Sequence, residues 1–212
     1  MEGDDGAGGA GPGGDGGGGI AAGRAFAWLL VVTGALGTLA SFVITLDKFT
    51  LLQDPDFVPA CNLNPVLSCA SVMSSDQASF LGVPNPLFGL PAYAMVVAIG
   101  FGALAGGRYR RWFWLGLNLG TGVGVVVSMW LMTQALYAIG SLCLWCSLAW
   151  VATIFMFWYT TVHNLRHGVV RAPRALVGAV REFHWVVPVV WCLSIALLIA
   201  TRFWSYWQTL LP

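Results

Sequence analysis

Four of the five cysteines in this 212-residue chain fall into two close pairs, Cys61 with Cys69 and Cys143 with Cys146, while Cys192 stands alone. The second pair forms Cys-Leu-Trp-Cys at the start of a long apolar run. A two-residue separation lets the sulfurs face each other and bond. The first turn of a helix, with its unpaired N–H groups and positive dipole end, stabilises a thiolate there. Such a pair suits reversible thiol–disulfide exchange. Zinc fits less well, because C-x7-C followed by C-x2-C is loose for a structural site, and no metal is expected. Covalent haem needs His directly after the second cysteine of the motif, where Ser147 stands. Static disulfides fastening a loop are the competing reading. Cys192, among Trp191, Leu193 and Ile195, reads as a small buried hydrophobe.

The elements that must position these sulfurs are membrane helices. The chain is 58% hydrophobic and only 9% charged, where a soluble domain carries about a quarter charged residues. Apolar runs at Phe26–Leu46, Pro86–Ala105, Trp112–Ile139, Ser141–Val162 and Trp185–Thr201 are each long enough to cross the hydrocarbon core and apolar on all sides. The expected fold is therefore an all-α integral membrane protein with five transmembrane helices. The glycine-rich, acidic stretch 1–23 reads as a disordered cytoplasmic leader, and 24–212 as the membrane domain. Between the first two spans an outer loop, 47–85, is rich in Pro, Ser, Asn and Asp. Within it Ser74-Ser75-Asp76 is placed to cap a short helix through Phe80 and Leu81, lying over the bundle like a lid. Gly116, Gly120 and Gly124, every fourth residue of the third span, are expected to let helices pack closely.

Basic residues orient the spans. Arg24, Arg108, Arg110, Arg111, Arg166, Arg171, Arg174 and Arg181 share one side, leaving Lys48 and Arg202 on the other. By the positive-inside rule the amino terminus is cytoplasmic, and the carboxyl terminus and the two cysteine pairs are extracytoplasmic, in a plasma or inner membrane. Disulfides persist in that compartment. Trp204, Tyr206 and Trp207 suit an interfacial aromatic belt. The arginines form no basic stripe of the kind nucleic acid requires, so nucleic acid is not an expected partner. In a lipid-embedded bundle a cycling cysteine pair finds its electron acceptor in a quinone, which suits an apolar pocket with a few polar groups.

The residues from Cys61 to Cys69 (Cys-Asn-Leu-Asn-Pro-Val-Leu-Ser-Cys), then Val72, Ser74 and Ser75, then Gly82-Val-Pro-Asn-Pro-Leu-Phe-Gly89 and Cys143-Leu-Trp-Cys146, together resemble the bacterial branch of the vitamin K epoxide reductase family. The likeness runs from about Trp28 to Tyr159, four consecutive spans. It implies a four-helix bundle core around a quinone, menaquinone or ubiquinone, with one extra C-terminal helix. In this pattern Cys146 lies nearest the quinone, Cys143 resolves it and exchanges with Cys69, and Cys61 meets the partner; Cys61–Cys69 and Cys143–Cys146 are the redox-active disulfides. Ser75 matches a loop serine that supports the site, and Asn85 a donor to a quinone carbonyl. Trp150 stands where animal members carry tyrosine, which favours plain quinone reduction over epoxide chemistry. Trp150 and Phe88 are further expected pocket residues. No fused thioredoxin-like domain is recognisable, so the implied partner is a separate extracytoplasmic thioredoxin-fold, DsbA-like protein. The implied function is a membrane thiol–disulfide oxidoreductase that drives disulfide formation in exported proteins. The alternative is a structural or transport protein with stabilising disulfides.

Overall fold

The computed structural model describes residues 19–79 and 82–208. Helix α1 spans Arg24–Gln53, α2 Cys69–Met73, α3 Pro86–Leu104, α4 Arg111–Thr133, α5 Leu144–Arg166, α6 Arg174–Glu182, α7 Val186–Arg202 and α8 Trp204–Gln208. α1, α3, α5 and the continuous run Arg111–Ile139 are long and apolar enough to cross a membrane, and α7 joins them as a fifth only when counted together with α6, from which it is bent by 65°. The protein is thus an all-α, multi-pass membrane protein.

α1 packs against both α3 and α5, and α5 also carries α4. The α1–α3 contact depends on glycines that the sequence reading passed over. A Cβ on Gly37 would strike the Tyr93 ring, one on Gly34 would lie 2.8 Å from Val97 Cγ2, and one on Gly100 would lie 2.7 Å from Val31 Cγ2. Close backbone approach replaces the hydrophobic drive that lipid does not supply. Hydroxyls inside the spans are satisfied locally: Thr33, Thr45, Thr121 and Thr160 each donate to the carbonyl four residues earlier. At one end, Ile20–Ala21 pairs with Arg108–Tyr109 as a two-stranded antiparallel sheet. The expected disordered leader therefore does not reach its own last residues, which Arg108 Nε and Trp114 Nε1 hold by bonds to the Gly19 and Ile20 carbonyls. Residues 1–18 of that leader lie outside the described residues.

The outer loop differs from expectation in two respects. α1 continues as helix to Gln53, so the irregular segment begins at Asp54 rather than Asp47. The short helix starts earlier than the Ser74-Ser75-Asp76 motif suggested. Ser68 caps it by accepting the Ser71 N–H, and Ser74 caps its carboxyl end. Asp76–Ser79 then forms a single 3-10 turn. Phe80 and Leu81, the expected far end of the lid helix, lie outside the described residues. At the other end, Trp204 is exposed as an interfacial residue would be, whereas Tyr206 and Trp207 turn inward and pack with Phe203 against Val66 and Leu136.

Candidate active site

The segment Cys61–Cys69 is folded by its own asparagines. Asn64 Oδ1 accepts the N–H groups of Val66 (3.0 Å) and Leu67 (2.8 Å), a turn that Pro65 helps to fix. Asn62 Oδ1 accepts the Ala70 N–H at 3.0 Å, tying the loop to the first turn of α2. The ends meet in a Cys61–Cys69 disulfide with Cα atoms 5.8 Å apart.

A second tie brings this loop to the other cysteine pair. Beyond α4, a π-helical turn over Gln134–Ile139 ends at Gly140, whose φ of 71° is readily available to glycine. The chain reverses there and runs alongside the loop. The Leu142 N–H donates to the Val66 carbonyl (2.8 Å), and the Ser68 N–H donates to the Leu142 carbonyl (3.0 Å). Cys69 and Cys143 are thereby carried into one buried cluster with Cys61, Ile44 and Met73, and Cys146 packs at its edge.

Cys143 and Cys146 are thiols in this structure. Cys143 is the residue that caps α5, and its Sγ accepts the Cys146 N–H at 3.4 Å. The Cys146 sulfhydryl, as the largest influence, and the backbone N–H groups of Cys146 and Trp145 hold the Cys143 thiol below the ordinary thiol range, against the opposing effect of burial. The helix-terminus argument made from sequence thus applies to the first cysteine of the pair.

Cys143 and Cys146 also form part of the wall of a cavity of about 690 Å³ between α3 and α4, with α1 and α5 behind. Its outer mouth carries Lys48, Ser75, Gln77 and Asn85, and it extends along Phe88, Tyr93 and Val96 to Trp112 and Phe113 at the opposite end of the bundle. Ser75, Asn85, Phe88 and Trp150, predicted from sequence, therefore share one wall system with the Cys143–Cys146 pair. Cys61 and Cys69 are not on that wall; they lie behind Cys143. Asn85 Nδ2 donates to the Gln77 carbonyl at 2.7 Å, and Ser75 Oγ donates to the Val72 carbonyl at 2.7 Å, so both side chains shape the mouth. Cys61 is only 4% exposed, although it was expected to meet a partner. Cys192 is half-buried on α7, more open than the expected buried hydrophobe.

The glycine stripe of α4 has a different role from the predicted one. Gly116 and Gly120 face open space within the cavity, and only Gly124 meets another helix, at Thr153 Cγ2. Their missing side chains leave room for a guest. The sequence reading also missed Tyr93, whose hydroxyl shares a 2.6 Å hydrogen bond with Thr153 Oγ1 on the same wall, and Lys48, whose Nζ donates to the Met73 carbonyl at 2.6 Å. A tyrosine inside one apolar run and a lone lysine two residues beyond another were the available signals.

A long apolar cavity with a few polar groups at one end fits a quinone ring and its hydrocarbon tail, and its volume lies in the ordinary range for ligand sites. No curated protein matches the chain closely enough to count as a relative. The model of the vitamin K epoxide reductase family matches residues 28–161, which takes in most of α1, the loop cysteines, the Cys143–Cys146 pair and most of α5. The chain belongs to the vitamin K epoxide reductase family, and by that membership it is a membrane oxidoreductase.

Proposed function

We propose that the protein passes electrons from an extracytoplasmic dithiol protein of thioredoxin fold to a membrane quinone, and so drives disulfide formation in exported proteins. One observation carries this reading: Cys143 lies both in the buried cluster with Cys61 and Cys69 and on the wall of the apolar cavity.

The order of exchange follows from that placement. A thiolate of the reduced partner attacks Cys61, and the Cys61–Cys69 bond breaks. The partner's second thiol then displaces Cys61, so the partner leaves oxidised and the loop holds two thiols. Val58 and Leu63, exposed on either side of Cys61, give the partner an apolar footing, and the segment Asp54–Asn62 must lift to uncover the sulfur. Cys69 next attacks Cys143 of a closed Cys143–Cys146 bond, and Cys146 leaves as a thiolate. Cys61 attacks Cys69, which restores the loop disulfide and expels Cys143. A thiol of depressed pKa is a good leaving group, and Cys143 has that character. The resulting state has the loop bonded and Cys143 and Cys146 reduced, which is the arrangement described above. A quinone bound in the cavity supplies the two-electron, two-proton sink that allows the Cys143–Cys146 bond to re-form. Phe88 and Trp150 would hold its ring, Asn85 and Ser75 shape the polar mouth, and the Gly116–Gly120 strip accommodates its tail. The eight arginines at the end away from the cysteines support an extracytoplasmic position for the exchange.

Replacing Cys61 and Cys146 together by serine tests this order, because neither residue is then present to break a Cys69–Cys143 bond. Given a mild thiol oxidant, Cys69 and Cys143 should join as a disulfide, visible by mass spectrometry of the non-reduced, digested protein. Two free thiols after that treatment contradict the relay.

A further inference from the structure

The connection from α5 to α7 carries a structure that the redox chemistry does not use. On α6, Arg174 and Arg181 lie on one side with Gly178 and Glu182, while Ala175, Leu176, Ala179, Val180 and the following Phe183 fill the opposite arc. No residue of α6 is buried, and Leu176 and Phe183 are 49% and 53% exposed. An apolar arc left open in this way would be costly in water. Its position identifies what covers it. α5 begins beside Cys143 and ends at Arg166, so α6 lies at the end of the molecule remote from the cysteines, set at 65° to α7 between two helices of the membrane bundle. A helix lying crosswise at that level has its apolar arc against acyl chains and its charged arc among headgroups.

The charge around it has one dominant sign. Arg166 Nη2 donates to the Arg181 carbonyl at 3.3 Å, which brings a third guanidinium against α6, and Arg171 lies just before it. From α4, Arg111 Nε donates to the Val169 carbonyl at 2.9 Å, adding a further cation to this end. Glu182 is the one carboxylate in the connection.

We propose that α6 is an interfacial helix that binds anionic phospholipid, with Arg166, Arg171, Arg174 and Arg181 holding the headgroup phosphates and Leu176, Val180 and Phe183 seated among the acyl chains. The partner is lipid in the leaflet at the arginine-rich end, and the contact does not depend on the redox reading.

The test uses the full chain in nanodiscs of phosphatidylcholine alone or of phosphatidylcholine mixed with phosphatidylglycerol, with backbone hydrogen exchange followed over residues 174–183. Exchange should be several-fold slower in the anionic discs. R174Q/R181Q should remove most of that difference between the two lipids, because each arginine lost weakens the attraction to an anionic surface. R174K/R181K, which keeps the charge, should restore most of it. Equal exchange in the two lipids overturns the proposal, as does failure of the lysine variant to restore protection. Protection that follows the number of protein copies per disc rather than lipid charge assigns the face to a second copy and overturns it as well.

Discussion

At the scale of single residues, Cys143 is both the cap of α5 and a member of the loop-cysteine cluster. Its acidity comes first from the Cys146 sulfhydryl and then from backbone N–H groups. A thiol whose pKa is depressed in the folded protein keeps its thiolate at pH values where a free thiol is protonated, and loses it only as the pH falls through the lowered value. Removing the principal donor with Cys146→Ala should therefore move Cys143 ionisation to higher pH in the reduced protein, read as ultraviolet thiolate absorbance against pH. No shift, or a shift to lower pH, contradicts this account. Tyr93 offers a second test at this scale. Its hydroxyl is paired with Thr153 inside the bundle, so Tyr93→Phe should cost about 0.5–1.5 kcal/mol of stability in denaturant titrations.

At the scale of elements, the glycines divide by environment. Gly37 lets α1 reach the Tyr93 ring of α3, whereas Gly120 opens onto the cavity. Gly37→Leu should overpack the α1–α3 contact and destabilise the bundle by about 1–3 kcal/mol. Gly120→Leu should leave folding and partner oxidation by a pre-oxidised loop intact while it slows quinone turnover, which separates the two roles in one assay series. The spans and the cysteine pairs were legible because lipid imposes length and uniform apolarity, and because Cys-Leu-Trp-Cys is a local signal. The roles of these glycines were not, since spacing alone does not say whether a small residue faces a helix or an empty volume. The short helix was misplaced for a related reason. Ser68 and Ser74-Ser75-Asp76 are both acceptable caps, and the choice is settled by Asn62 and by the Leu142 carbonyl, contacts that local sequence does not reveal. Asn85, read as a ligand donor, donates to the Gln77 carbonyl, a partner equally hidden in the sequence.

At the scale of the whole molecule, the carboxyl-terminal helices extend the bundle into a brace for the outer loop. Arg202 Nε donates to the Leu136 carbonyl at 3.0 Å, and Phe203 is buried with Val66, Leu142 and Trp150. Those residues connect the loop disulfide to the Cys143 segment, so Phe203→Ala should cost about 3 kcal/mol or more and slow exchange between Cys69 and Cys143 ahead of any loss of helix content. Charge is also arranged along the whole molecule: eight arginines lie at the end away from the cysteines, which supports the proposed extracytoplasmic position of the loop. The sulfur cluster at one end meets the apolar cavity at Cys143, and the proposed route for electrons into the bilayer runs through that contact. The most direct test is dithiol-dependent reduction of a soluble quinone by the purified, reconstituted protein, comparing wild type with Cys146→Ser. Wild type should form one quinol for each dithiol oxidised, and the variant should fall to the uncatalysed rate; equal turnover by both proteins would contradict a route through Cys146.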